Sequence, residues 1–147
     1  MRNQNELFRL KAKSMRLSNM ADYAVVVMSA ASRHCGSARV SATELAAETG
    51  LALPTTQKLV SILSKAGLLR SVRGTGGGIM LARPAAAITI ADIIEAVEGP
   101  IAMTSCVDSG KHVCLMEGNC RVRPHWAVVN DAVRGALAGV ALTSLNR

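Results

Sequence analysis

Aromatic residues are almost absent from this chain, which has one Phe, one Tyr and one Trp among 147 residues. The core must therefore be built from Ala, Val, Leu, Ile and Met, and such side chains favour close-packed helices over a large sheet. A chain of this length buries one core and is too short for two generous domains. The composition predicts a mostly α-helical protein with one domain and an appended element.

Long apolar runs are missing as well. No stretch approaches the roughly 20 apolar residues of a membrane-spanning helix, and the N-terminus lacks the apolar segment of a secretory signal. We expect a cytoplasmic protein with no membrane partner. In a reducing cytoplasm, clustered cysteines are more often metal ligands or redox sensors than structural disulfides.

Acidic residues are absent from one long stretch. Residues 50–91 carry five basic side chains and no acid, whereas residues 92–120 carry five acids and one Lys. The formal net charge is +7, to which the first fourteen residues contribute four basic side chains against one acid. The basic surface is therefore local, and a polyanion is its expected partner. Residues 1–14 are interpreted as a flexible extension, with a short packed helix from Asn5 to Ala12 as the alternative.

Signatures of catalysis are absent too. Nothing resembles a hydrolytic triad, a pair of catalytic carboxylates or a cofactor fingerprint. The glycine-rich segment Arg73–Gly78 lacks the Gly-Lys-Ser/Thr ending of a phosphate-binding loop and leads into a strand instead of a helix. An enzyme is therefore not expected.

Local signals of helices and turns are clear within residues 15–99. The apolar spacing predicts a first helix from Asn19 to about Arg33. The capping box Ser41–Glu44 starts a helix to about residue 49, and a helix with Pro54 in its first turn follows. Helix, tight turn, helix is the helix-turn-helix pattern, and residues 69–81 predict a two-stranded hairpin, or wing. We expect a winged helix-turn-helix domain that ends with a helix closed by Gly99.

A recognition helix presents its N-terminal side chains to base edges in the major groove. Gln57 can pair bidentately with adenine, and a Thr methyl group can contact thymine. Arg73 at the wing tip suits a narrow minor groove. The alternative is a solvated helix face and an ordinary glycine-rich turn. The predicted DNA-binding residues are Thr55, Thr56, Gln57, Lys58, Arg73, Gly74 and Thr75.

Three cysteines, Cys106, Cys114 and Cys120, lie in a predicted loop over residues 100–123. Their spacings of seven and five intervening residues match neither the short pairs of structural zinc sites nor the runs of ferredoxins. Thiolates suit iron–sulfur clusters and also zinc. A cluster, zinc and a thiol–disulfide switch all stay open on spacing alone. Cys35, separate in sequence, is expected to be a free thiol without a special role.

The last helix is predicted from Pro124 to about Leu145, within a dimerisation element at residues 124–147. Its apolar stripe is interleaved with Gly135 and Gly139. Each glycine in a helix interior costs about 1 kcal/mol relative to Ala, and the close approach of another backbone offsets that cost. Symmetric pairing in a homodimer is the favoured interpretation, and packing on the helix's own domain is the alternative.

Four segments together resemble a known family. They are the start Met15–Ala24, the wing Ser71–Gly78, the stretch Leu81–Pro84 followed by Ile90–Gly99, and the cysteine loop ending in Arg123–Trp126. Over nearly all of residues 15–147 they resemble the iron–sulfur-dependent winged-helix regulators of IscR and NsrR type. Within that family the chain is most similar to regulators of the SUF iron–sulfur assembly system.

The resemblance implies a homodimeric transcription factor with an iron–sulfur cluster, either 2Fe–2S or 4Fe–4S, bound by the three loop cysteines. It implies a repressor that binds a double-stranded DNA operator at genes of cluster assembly or of iron and oxidative stress. A regulator that uses the same cysteines for zinc or a redox switch is the alternative. A small electron-transfer protein would leave the helix-turn-helix and wing without a purpose.

The fourth cluster ligand is left open by the resemblance. In many IscR-type relatives it is a His three residues after the last cysteine, where this chain has Arg123, which cannot ligate. His125 lies two residues further on. Asp22 matches the position from which some NsrR-type relatives donate a carboxylate across the dimer. His112 is a weaker candidate, and an external ligand or none is the remaining option.

Overall fold

The computed structural model describes residues 15–34, 39–108, 114–116 and 118–147. The residues outside these ranges include the predicted extension at 1–14, Cys35 and His112. The elements in chain order are α1 (Asn19–Arg33), α2 (Ala42–Thr49), α3 (Leu53–Lys65), β1 (Leu69–Val72), β2 (Gly78–Leu81), α4 (Ile90–Glu98) and α5 (Arg123–Ala138). Short 3-10 turns cover Ala85–Ala87, Ser105–Val107 and Leu142–Asn146.

Helix α1 is the central element of the fold. The Ser18 hydroxyl caps its start by accepting a hydrogen bond from the Ala21 amide at 3.1 Å. Small side chains on its inner face, including Ala21 and Ala24, are fully buried, so α2, α3 and α4 can pack closely against it. Val27 and Met28 fill the space between these helices. The predicted bounds of the first helix are confirmed.

The helix-turn-helix is formed as its local signals predict. In the capping box, the Ser41 amide donates to Glu44 Oε2 at 2.7 Å and the Glu44 amide donates to Ser41 Oγ at 3.1 Å. Gly50, at φ 74°, ends α2 in the left-handed region that favours glycine. Helix α3 follows with Pro54 in its first turn, and its cap residue, Ala52, makes no side-chain hydrogen bond.

The missing cap on α3 gives a first prediction. Ala52 has the extended backbone of a cap residue, φ −60° and ψ 139°, so a serine there can accept from a free amide of the first turn. We expect Ala52→Ser to raise the free energy of unfolding by about 0.5–1 kcal/mol. Urea denaturation at fixed protein concentration measures it, with Ala47→Ser on the exposed side of α2 as the matched control. An equal effect of both substitutions would contradict the capping argument.

The wing is an antiparallel hairpin with Leu69 opposite Leu81 and Val72 opposite Gly78. Its turn requires glycine, because a Cβ on Gly77 would lie 2.2 Å from the Val72 carbonyl oxygen. Val40 forms an isolated β-bridge to the hairpin, since it exchanges two backbone hydrogen bonds with Ile79 at 2.7 and 3.2 Å. The wing is thereby attached to the residues that precede α2.

The last helix is shorter than predicted. Helix α5 ends at Ala138, and the chain turns so that Leu142 becomes fully buried. The Leu142 amide donates to the Ile88 carbonyl at 2.8 Å, and the Ile90 amide donates to the Val140 carbonyl at 2.9 Å. The predicted end near Leu145 is therefore wrong. Gly139 is a weak helix former, so one further helical turn after it would add little stability. Burial of Leu142 and its pairing with the segment before α4 stabilise the chain more.

None of the helices in the described ranges is both long and apolar enough to cross a lipid bilayer.

Candidate DNA interface and cysteine site

The outer face of α3 carries the polar side chains expected of a recognition helix. Gln57 and Lys58 are exposed, and Thr55 is half-buried at the edge of the same face. Ser61 and Lys65 are exposed one and two turns further along. Ser61 was missed by the sequence analysis, although its spacing of four residues from Gln57 places it on the same face.

Thr56 is a correction. Its side chain is fully buried, and its hydroxyl donates to the Ala52 carbonyl at 3.2 Å. It shares the inner face of α3 with Leu59, Val60 and Leu63. The prediction that Thr56 contacts DNA is therefore wrong. Thr56 lies near the start of the helix, but its side chain is on the inner face.

The tip of the wing is open to solvent. Arg73, Gly74 and Thr75 are all exposed. Arg39, which the sequence analysis did not single out, donates from Nη1 to the Gly76 carbonyl at 2.6 Å and so ties the turn to the residues before α2. This bond connects the wing tip to the segment that leads into the helix-turn-helix.

The acidic residue Glu48 of α2 is paired with two basic residues. Glu48 lies 2.6 Å from Arg33 and 2.8 Å from His34. The hydrogen bond from His34, followed by that from Arg33, lowers the pKa of Glu48 below its ordinary value. The charge of this carboxylate is thus offset by Arg33 of α1.

The three loop cysteines are free thiols, and each is half-buried. Cys106 lies in the 3-10 turn Ser105–Val107, with the Thr104 hydroxyl 3.1 Å from its sulfur. Within the described residues, no three His, Cys, Asp or Glu side chains converge into a metal-binding geometry. As a donor set, three accessible thiols on one loop fit a thiophilic metal or an iron–sulfur cluster.

The fourth-ligand candidates lie on two different helices. Asp22 is exposed in the first turn of α1, and His125 is exposed near the start of α5. Arg123, at the position where many IscR-type relatives have a His, is the first residue of α5. His112 lies outside the described residues.

The segment that leads to Cys106 is attached to α4 and α5 by polar side chains. Asn130, 8% exposed, accepts from the Met103 amide at 2.9 Å and donates to the Ile101 carbonyl at 3.0 Å. The Glu95 carboxylate receives two bonds from Arg134, at 2.8 and 3.0 Å, and one from the Ile101 amide at 3.2 Å. This polar anchor was not predicted from the sequence, although an Asn within the apolar stripe of α5 was a visible signal.

The anchor makes stability depend on pH. The hydrogen bond from Arg134, assisted by that from the Ile101 amide, lowers the pKa of Glu95 below its ordinary 4.5, against the opposing effect of burial. A carboxyl with a lowered folded-state pKa contributes stability above its unfolded pKa and loses it as the pH falls through the folded value. We expect Glu95→Gln to flatten the fall in stability between about pH 5 and about pH 3.

Urea denaturation across that pH range measures the Glu95 effect. Asp131→Asn, at an exposed position on α5, is the matched control and should leave the pH profile as in the parent protein. A Glu95→Gln profile parallel to that of the parent would contradict the ion pair's contribution.

Helix α5 leaves much of its apolar surface uncovered on the single chain. Val128 is 69% exposed and Val129 is 42% exposed, while Trp126, Val133 and Leu137 are half-buried. A Cβ built on Gly135 would meet nothing within 4 Å. Asn130, at 8% exposure, is the one residue of α5 that is buried. This uncovered surface has the character of an association face.

Comparisons with known proteins agree with this architecture. The family model described as Rrf2, iron-dependent transcriptional regulator, matches residues 17–147. The HTH-type transcriptional regulator IscR of Photorhabdus laumondii is 32% identical over 131 residues, which cover 89% of this chain and 79% of that protein.

Two solved structures show the same fold. CymR, the global cysteine regulator of B. subtilis, has a TM-score of 0.70 and 28% identity, with 90% of this chain and 97% of that one covered. T. potens IscR has a TM-score of 0.66 and 29% identity, with 90% and 86% covered. These relatives are transcriptional regulators rather than enzymes. With its winged helix and the family match over nearly the whole described chain, the protein belongs to the Rrf2 family of winged-helix transcriptional regulators.

Proposed function

We propose that this protein is a homodimeric repressor whose binding to an operator is controlled by an iron–sulfur cluster held by Cys106, Cys114 and Cys120. The observation that carries the proposal is the combination, in one Rrf2-family chain, of an acid-free winged helix with three free thiols on one loop. The target genes are those of iron–sulfur assembly or of the response to iron and oxidants. The protein acts in the cytoplasm.

DNA binding is supported by the charge and exposure of two elements. Gln57 and Lys58 on α3 and Arg73 on the wing are exposed, and basic side chains that replace phosphate counterions supply most of the non-specific affinity for DNA. Gln57 is placed to read a base edge, with Ser61 beside it. Thr55, Gly74 and Thr75 complete the proposed interface.

Dimerisation is supported by α5. Two recognition helices on a two-fold axis read two half-sites of an operator, so a regulator of this kind gains affinity by pairing. Val128 and Val129 offer apolar area, and Gly135 leaves room for a second backbone to approach. The proposed interface is the exposed surface of α5 against its copy.

The cluster assignment is supported by the chemistry of the donors. Iron–sulfur clusters take thiolate ligands, and a bound cluster supplies a redox-active, oxidant-sensitive group. The loop supplies three thiols, so one ligand must come from elsewhere. We assign it to Asp22, because it matches the position from which some NsrR-type relatives donate a carboxylate across the dimer. A ligand in the first turn of α1 would connect the cluster to the winged helix. His125 is the competing ligand, and Asp22→Ala and His125→Ala distinguish the two by cluster stability.

A second candidate function is favoured by one comparison. The similarity to CymR, the global cysteine regulator of B. subtilis, supports a DNA-binding regulator in which the same cysteines form a thiol–disulfide switch or hold zinc. In that case oxidation or zinc, not a cluster, would control DNA binding. The visible spectrum and metal content separate this candidate from the first.

The decisive experiment combines spectroscopy with DNA titration. Protein purified without oxygen is expected to show the visible charge-transfer bands of a cluster and a matching content of iron and sulfide. DNA affinity, titrated before and after removal of the cluster, is expected to change severalfold and to fall steeply with salt. Colourless, zinc-loaded protein, or equal affinity with and without cluster, contradicts the proposed control.

A further inference from the structure

The segment Ile101–Met103 is connected to α4 and α5 by hydrogen bonds. Its residues are half-buried and line a cavity of about 490 Å³ that also borders α4 and α5. Open space on one side means that packing alone does not fix the position of this segment. The polar contacts from α4 and α5 therefore contribute to where it lies.

Asn130 makes the two central contacts. Its side-chain oxygen accepts from the Met103 amide at 2.9 Å and its side-chain nitrogen donates to the Ile101 carbonyl at 3.0 Å. Because Asn130 is 8% exposed, its side-chain amide has little access to water, and loss of either bond removes a backbone group's partner on α5. Glu95 adds a third bond at the Ile101 amide, 3.2 Å away.

The fixed segment leads directly to the first cysteine. Cys106 follows Met103 by three residues and lies in a 3-10 turn that packs on α5. The Val107 amide donates to the Thr104 carbonyl at 3.3 Å, and the Thr104 hydroxyl lies 3.1 Å from the Cys106 sulfur. A displacement of Met103 is therefore passed through this turn to the thiol.

We propose that Asn130 is a positioning residue that fixes the Cys106 thiol relative to α5, with Glu95 as its supporting contact from α4. The role as a ligand-positioning residue rests on the proposed function, in which Cys106 binds the cluster. The role in placing Cys106 does not depend on a cluster. Through this contact, the helix proposed to pair the two chains also determines the position of one cysteine.

The test measures thiol reactivity in metal-free, reduced protein. Asn130→Leu keeps similar volume and removes both hydrogen bonds, and it is expected to raise the alkylation rate of Cys106 by iodoacetamide about fivefold, the factor that matches one hydrogen bond of ordinary net strength. The rates at Cys114 and Cys120, read by mass spectrometry in the same sample, should not change. Asn130→Asp keeps the acceptor for the Met103 amide and should restore part of the protection.

The controls separate positioning from loosening of the fold. Asp131→Ala, next in sequence and exposed, should leave all three rates unchanged. An equal rise at all three cysteines, or an unchanged rate at Cys106, overturns the proposal. Glu95→Gln, which removes a charge-assisted contact at nearly constant size, is expected to raise the Cys106 rate alone. If Asn130→Leu does not fold, Asn130→Asp, which loses the donor to the Ile101 carbonyl, decides the matter by a smaller rise at Cys106 alone.

A second readout distinguishes this inference from the proposed function. After anaerobic reconstitution, the half-life of the visible bands in air is expected to shorten severalfold in Asn130→Leu relative to Asp131→Ala. If no variant, nor the parent, takes up a cluster, the proposed function fails, whereas the alkylation rates still decide whether Asn130 positions Cys106.

Discussion

Single replacement of Cys106, Cys114 or Cys120 by Ala is expected to abolish stable cluster binding while the fold is retained. Loss of a side chain that merely supports a metal ligand already lowers metal affinity by roughly 10- to 100-fold. Loss of a ligand itself should lower the affinity for the cluster by more. The three thiols are half-buried and outside the hydrophobic core, so their removal should have little effect on the packing of the winged helix. Iron content and visible absorbance after anaerobic reconstitution measure the effect.

Cys35→Ala is the matched control, since it removes a thiol outside the cysteine loop. It should keep the iron content and spectrum of the parent protein. Retention of full iron content by any one of the three loop variants would remove that cysteine from the ligand set. If the three loop variants still bind DNA with the same affinity before and after the cluster-removal treatment, the substitutions removed the control of DNA binding and left the DNA-binding fold intact.

The elements before residue 100 could be predicted closely because several local signals agree there. The capping box Ser41–Glu44, the glycine that ends α2 and the apolar period of α1 each act within a few residues of the structure they determine. Asp92 and Thr89 form a second capping box at the start of α4, with hydrogen bonds of 2.9 and 3.2 Å. A contact between near neighbours in sequence is visible before folding.

The end of α5 could not be predicted in the same way. Leu142 is buried because its backbone pairs with Ile88, and this partner lies far away in sequence. Within the local sequence, Gly139 resembled one more small residue in a helix that pairs with a copy. Only the tertiary contact distinguishes a helix end from a small residue at an interface.

The error at Thr56 has a different cause. The apolar spacing of α3 already placed position 56 on the face of Leu59, Val60 and Leu63. The prediction rested instead on the position of Thr56 near the start of the helix.

The loop cysteines differ from Thr56 in what the sequence reveals about them. They are Cys106, Cys114 and Cys120. Their chemistry could be predicted from residue type, whereas their arrangement depends on what they bind as well as on the chain.

Replacement of Arg73 by Ala is expected to weaken operator binding by roughly 1 to 3 kcal/mol if the guanidinium enters a groove. The side chain is exposed at the wing tip, and the bond from Arg39 to the Gly76 carbonyl, 2.6 Å long, holds the turn that presents it. A narrow, A·T-rich minor groove attracts a guanidinium through its negative potential. Gel-shift or anisotropy titrations at several salt concentrations measure both the affinity and its salt slope.

Two further variants show what Arg73 contributes. Arg73→Lys keeps the charge but loses the planar fork, so it should recover the salt slope without recovering the full affinity if the guanidinium reads a groove. Arg147→Ala, directly after the C-terminal 3-10 turn, removes an equal charge outside the wing and should leave the affinity close to that of the parent. If Arg73→Lys recovers the full affinity, the contact is purely electrostatic. Arg73→Ala should then lose about one unit of salt slope. Unchanged affinity in Arg73→Ala would remove the wing from the DNA interface and leave Gln57 and Lys58 on α3 as its basis.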